Sequence, residues 1–142
     1  MTVNTASARY EGLGKSGKGH VSTESGALDA QPYGFQTRFE DAAGTNPEEL
    51  IAAAHASCFT MALSFKLAEA GHEDGQVDTK CAVTLEKVDD GFKVTKSALA
   101  VVASVPGIEA DKFAEIAADA KSGCPISKLL DCEITLKHDL KN

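Results

Sequence analysis

Apolar and polar positions along the chain change period several times, and each change marks an element. From Tyr33 to Glu40 the pattern alternates: Tyr33, Phe35, Thr37 and Phe39 fall on one face of a predicted strand, with Gln36, Arg38 and Glu40 on the other. Arg38 thus points away from the aromatic side. After the loop "DAAGT", Asn46 reads as a helix cap, with Pro47 at the first helical position and Glu48 and Glu49 in the first turn. The helix should run to about Ala70, with Gly71 as a left-handed stop, giving a rod of about 36 Å. Its apolar residues lie all around it, so other layers must cover it on several sides. Two alternating runs, Lys80 to Val88 and Phe92 to Ser104, are joined by the hairpin signal "DDG". "VPG" ends the second run, and an amphipathic helix follows with Phe113, Ile116, Ala117 and Ala120 on one side. In "SGCPISKLL", Gly123 breaks that helix and Pro125 opens a short one; Ile134, Leu136, His138 and Leu140 then alternate in a final strand. Strands around one long buried helix make the class α+β, in a single domain spanning residues 1–142.

Composition narrows the function. A formal net charge of -7 argues against a nucleic-acid partner and an anionic membrane surface, which both need clustered Lys and Arg. The start, "MTVNTASARYEG", lacks a basic segment followed by an apolar one, so nothing in it directs export. The apolar stretch from Leu50 to Leu67 is interrupted by His55, Ser57, Thr60, Ser64 and Lys66 and reads as a core helix, not a membrane span. The expected location is the cytoplasm, where thiols are kept reduced and a cysteine pair is more often redox-active than a permanent staple.

Four cysteines separate into two pairs. Cys81 shares a strand face with Val83 and Leu85, and Cys132 shares one with Ile134 and Leu136, as small core hydrophobes do. Cys124, in "GCP", falls at the first turn of a helix, where unpaired N–H groups favour a thiolate; a capping residue without chemistry is the alternative. Cys58, in the middle of the apolar helix, should have a raised pKa and needs a cation to become reactive. The chain has only two arginines, Arg9 and Arg38, and Arg38 is held next to the capped helix; it could equally be a surface residue paired with Glu40 or Glu24. His55 lies three residues before Cys58 and could form a nucleophile pair with it, or be a hydrogen-bonded interior histidine. His20, His72 and His138 have no ligand-spaced neighbours, and neither C-x-x-C nor H-x-x-x-H occurs, so no metal or other cofactor is expected. "GLGKSGKG" lacks the preceding strand and following helix of a nucleotide loop.

The segments "GKGHVSTESGALDAQPYGFQTRFE", "TNPEELIAAAHASCFTMALSFKLAEAGH" and "VPGIEADKFAEIAADAKSGCPISKLL" together resemble the osmotically inducible protein C (OsmC) family of thiol-dependent peroxidases, relatives of the organic hydroperoxide resistance (Ohr) proteins. The resemblance runs over essentially the whole chain; "QPYGF" and "TRFE" are similar to OsmC proper, and Cys81 and Cys132 lie outside the motif. It implies that Cys58 is the peroxidatic cysteine, that Cys124 resolves it as a disulfide, that Arg38 activates the thiolate and that Glu48 holds Arg38. It also implies an intertwined homodimer, organic hydroperoxides as substrates with hydrogen peroxide reduced more weakly, and an external dithiol, of lipoyl type, as reductant. Glu48 and Cys58 stand ten residues apart on one helix, about 15 Å along its axis and about 80° around it, which excludes direct contact within one chain. Either Arg38 bridges the gap or Arg38 and Glu48 serve the thiol of the other subunit, the arrangement favoured here. A non-enzymatic protein that binds an apolar ligand and uses the same thiols as a redox sensor is the competing reading.

Overall fold

The computed structural model describes all of residues 1–142, and its contacts divide the chain into two units, Met1–Leu50 and Ile51–Asn142. In the first, β1 (Ala6–Glu11), β2 (Lys18–Thr23) and β3 (Gln31–Tyr33) form an antiparallel sheet in the order β1-β2-β3. The glycine-rich segment after Glu11 is the turn between β1 and β2; a strand does precede it, against expectation, but a strand rather than a helix follows. Gly19 is required on β2 because a Cβ there would sit 2.7 Å from both the ring and the carbonyl oxygen of Tyr33. That closeness lets Tyr33 meet Tyr10 edge-on, with ring centroids 6.0 Å apart.

The strand expected from Tyr33 to Glu40 is a correction. It ends at Tyr33, and Phe35–Phe39 form a short helix, α1. Thr37 explains the switch: its Oγ1 accepts the Gly34 N–H at 2.8 Å and donates to the Gly34 carbonyl at 3.0 Å, closing a turn no extended strand permits. Phe35 and Phe39, two alternation steps apart, are also an i,i+4 pair, and their rings meet at 5.2 Å. Arg38 therefore projects from a helical turn, not from a strand face.

Helix α2 (Pro47–Glu69) starts as expected. The Asn46 side chain accepts the Glu49 N–H at 2.8 Å while its own amide donates to the Thr37 carbonyl at 3.0 Å, tying the helix start to α1. At the far end Gly71 takes φ 94°, and the Gly71 and His72 N–H groups bond back to Ala68 and Leu67 at 3.0 and 2.9 Å, a Schellman stop.

In Ile51–Asn142, β4 (Gln76–Val88) and β5 (Gly91–Ser104) form the antiparallel hairpin around Asp89 and Asp90. The chain returns through α3 (Ala110–Gly123) and α4 (Pro125–Leu129) to β6 (Glu133–Leu140), which pairs parallel to β5. The mixed sheet, the predicted apolar side of α3 and one stripe of α2 make the core, with Phe59, Leu63, Leu99, Val101 and Phe113 essentially excluded from solvent. Each such side chain contributes about 1.5 to 3 kcal/mol through burial. Along α2 only His55, Phe59, Leu63 and Leu67 are buried, while Met61 and Phe65 remain 61% and 64% exposed. The fold is α+β with a long central helix, as expected, but the chain itself covers that helix along one stripe.

Candidate active site

Two elements meet at a pair of thiols. Cys58 precedes the buried Phe59 on α2 and is half-buried against the core. Cys124 is at once the residue that ends α3 and the cap of α4, fully buried, with Pro125 opening the next turn. The two thiols interact with each other. Burial pushes the Cys58 thiol up, and its bond to Cys124 and the negative charge there push it further; the Ile126 N–H offsets only part of this. Cys124 goes the other way. Burial alone would raise it, but the hydrogen bond from Cys58, the N–H and hydroxyl of Ser127 and the N–H of Ile126 together outweigh burial and lower it. The raised direction at Cys58 is the one expected of a thiol in an apolar helix.

His55 is wholly buried, and its ring nitrogens are engaged by hydroxyls: Nδ1 with Ser97 Oγ at 2.6 Å and Nε2 with Ser127 Oγ at 2.8 Å. It is the interior histidine of the two alternatives, not the immediate base of Cys58. Cys81 and Cys132 pack as part-buried residues, Cys81 against the core, yet Cys81 Sγ also lies 3.2 Å from Ser97 Oγ and 3.9 Å from His55 Nδ1. Burial raises the Cys81 thiol, and it senses the charge of Cys132. Ser97 and Ser127 escaped the sequence reading. Ser97 had left a signal: it shares the inward alternation of Leu99, Val101 and Ala103 on β5, where a hydroxyl needs a buried partner.

Within Met1–Leu50, Arg38 is paired with Glu48 rather than Glu40 or Glu24. Nε donates to Glu48 Oε1 at 2.7 Å and Nη2 to Oε2 at 3.1 Å, a two-pronged clamp. The guanidinium also faces the Phe39 ring at 5.4 Å, on the rim of an open hollow of about 330 Å³ lined by Tyr10, Tyr33, Phe35, Phe39 and Pro47. The structure thus assembles the four expected residues as two pairs, Cys58 with Cys124 and Arg38 with Glu48.

The model of the OsmC-like protein family matches residues 40–139. The chain belongs to the OsmC-like family. It is 56% identical over 143 residues to Peroxiredoxin OsmC of Escherichia coli (strain K12), covering 100% of each chain. It is 30% identical over 124 residues to the organic hydroperoxide resistance protein OhrB of Bacillus subtilis (strain 168), covering 87% of this chain and 89% of that one. The crystal structure of Bacillus subtilis OhrB superposes with a TM-score of 0.68 at 29% identity, over 96% of this chain and 98% of that chain. Identity to the OsmC-named relative exceeds that to the OhrB relative, in line with the resemblance of "QPYGF" and "TRFE" to the OsmC branch.

Proposed function

We propose that this OsmC-like protein, a cysteine-based peroxidase, reduces organic hydroperoxides, and hydrogen peroxide more weakly, through Cys58 and Cys124. One observation carries the mechanism: two thiols from distant parts of the chain, one on α2 and one at the opening of α4, interact directly with each other, as a disulfide-forming pair must. Cys58 gives up its proton, and its thiolate attacks the terminal oxygen of R–OOH. The O–O bond breaks, the electron pair leaves on the alkoxide, and the alkoxide takes that proton back to depart as alcohol. Cys58 is now a sulfenic acid. The Cys124 thiolate attacks its sulfur, the S–S bond forms, and hydroxide leaves as water with a proton from solvent. An external dithiol, of lipoyl type, then exchanges with the disulfide and restores both thiols.

Arg38 is assigned to the peroxide oxygens and to the Cys58 sulfur as negative charge moves onto them, with Glu48 as the positioning residue that fixes the fork. In support, the fork is held at both prongs and borders an aromatic hollow suited to an apolar tail. We place the two units in one domain of an intertwined homodimer in the cytoplasm; the uncovered Met61 and Phe65 on α2 supply an apolar surface for the partner chain.

The test is thiol titration after one equivalent of cumene hydroperoxide, followed by addition of a dithiol. Loss of two thiols with repeated turnover supports the reading; oxidation without turnover would favour the redox sensor. Cys58→Ser should abolish peroxide consumption, and Cys124→Ser should allow one oxidation that is not recycled normally.

A further inference from the structure

The His55 side chain ties α2 to two other elements. Its Nε2 meets Ser127 Oγ on α4 at 2.8 Å and its Nδ1 meets Ser97 Oγ on β5 at 2.6 Å, with Cys81 Sγ on β4 3.9 Å from the same Nδ1 and 3.2 Å from Ser97 Oγ. His55 and Ser97 have no solvent exposure and Ser127 has 9%. The bond to Ser127 runs beside the thiol pair. His55 and Cys58 are three residues apart on α2 and are neighbours on its surface; Cys124 and Ser127 are also three apart, so each pair is separated by about 4.5 Å of helical rise. The turn from Cys124 to Ser127 is stiff, because Pro125 opens it and the Lys128 N–H donates to the Cys124 carbonyl at 3.1 Å. Cys124 lies in the buried core and Cys58 packs against that core. His55 with Ser127, and Cys58 with Cys124, thus link the same two stretches of chain in opposite directions, as two rungs of one ladder.

The two rungs differ in what they tolerate. Apolar packing has no direction, whereas a hydrogen bond weakens within a few tenths of an ångström, and a slide of α4 by one residue, about 1.5 Å, breaks it and leaves a buried nitrogen and a buried hydroxyl unpaired. The bond forms whether the nitrogen or the hydroxyl donates, so it fixes position for either tautomer of the ring. Ser97 holds the ring from its other side, on the sheet. We propose that His55 is a positioning residue whose bond to Ser127 sets the register of α4 on α2, and with it the effective concentration of the Cys124 thiol at Cys58. The pair then closes readily to a disulfide, and a Cys58 sulfenic acid is captured before a second peroxide carries it to the sulfinic acid. The inference rests on the peroxidase reading for its purpose in turnover; the register and the disulfide equilibrium stand without it.

The test is the equilibrium of the thiol pair in mixtures of reduced and oxidised glutathione, without peroxide, with the linked Cys58–Cys124 peptides quantified by mass spectrometry after acid quenching. In that exchange the two protein thiols pass two electrons and two protons to oxidised glutathione, which becomes two molecules of the thiol. Ser127→Ala should lower the equilibrium constant for closure about tenfold, a rise of about 30 mV in the reduction potential, and Ser127→Thr, which keeps the hydroxyl, should restore most of it. His55→Leu should match Ser127→Ala, which decides the matter even where His55→Leu does not fold. Urea unfolding of the reduced proteins is followed alongside. A Ser127→Ala protein that loses stability but keeps the wild-type potential would show the bond to be a structural tie only and overturn the proposal, as would a Ser127→Thr potential equal to that of Ser127→Ala, or wild-type protein in which this pair never closes. In a second arm, with excess cumene hydroperoxide and a dithiol, Cys58 sulfinic acid formed per turnover should rise about tenfold in Ser127→Ala. Wild-type protein that consumes no peroxide in that arm would count against the peroxidase reading and leave the glutathione result standing.

Discussion

Arg38 and His55 show two ways in which a single side chain is made useful by what holds it. The Arg38 fork engages Glu48 through two different nitrogens, so its remaining N–H groups are fixed in direction. Lysine keeps the charge but offers a point donor on a flexible stem. Arg38→Lys should therefore lower kcat/KM for cumene hydroperoxide by about a hundredfold, equivalent to about 2.7 kcal/mol of transition-state stabilisation. Its Tm should move little, because lysine keeps a positive charge beside Glu48 and Arg38 is itself a third exposed, so solvent screens the pair. A large Tm change with unaltered kinetics would show the clamp to be structural only. His55 is different because burial lowers its pKa below the ordinary 6.5. The unfolded chain, titrating near 6.5, binds the proton more readily. The His55 contribution to stability is thus complete above that value and is lost as pH falls through it toward the folded pKa, at up to about 1.4 kcal/mol per unit. Urea unfolding between about pH 7.5 and 5.5 should show this slope, and His55→Gln should flatten it; equal slopes in the two proteins would contradict the assignment.

Asn46 shows how one residue joins two elements. Its side chain caps α2 and holds the Thr37 carbonyl at the end of α1, so Asn46→Ala should destabilise the fold by about 1 to 2 kcal/mol in urea titration and also loosen the turn that carries Arg38. Reduced activity in Asn46→Ala at temperatures where the protein is folded is the expected sign of that second effect, and wild-type activity there would remove it. The cap, Pro47 and Gly71 were legible in the sequence because each acts on its immediate neighbours. So were the β4–β5 hairpin, the buried side of α3 and the opening of α4 at Cys124, all short-range patterns. α1 was not, since Phe35, Thr37 and Phe39 satisfy a two-residue period and a helical turn equally well over five residues. Only the Thr37 bonds to Gly34 decide between them. The cysteine pair and the Arg38–Glu48 association came through resemblance. The serines around His55 were beyond reach, because they arrive from 42 and 72 residues away along the chain and no local pattern announces such partners.

The proposed dimer would give the remaining apolar surface of α2 a purpose. Met61 and Phe65 stand three and seven residues after Cys58, so the proposed peroxidatic sulfur lies at the border between the stripe the chain buries and the face it leaves open. A second copy seated on that face would finish the apolar surroundings of Cys58, and Phe65→Lys should yield monomers by sedimentation velocity together with loss of peroxidase activity. A fully active monomer would refute the dimeric site. The sharper question is whose guanidinium serves which thiol, and complementation answers it. On the proposed mechanism Cys58→Ser and Arg38→Ala each remove one half of the site, so either homodimer should be inactive. Exchanged together, half the dimers are mixed by chance. When the clamp acts across the two-fold axis, each mixed dimer pairs the intact Arg38 of one chain with the intact Cys58 of the other, making one complete site and restoring about a quarter of wild-type activity. When it acts within the chain, no mixed dimer has a complete site. The ten-residue spacing of Glu48 and Cys58 along one helix, about 15 Å of axial rise, favours the first outcome. A mixture that stays inactive, although exchange is verified by mass spectrometry, places Arg38 and Cys58 of one chain in the same site.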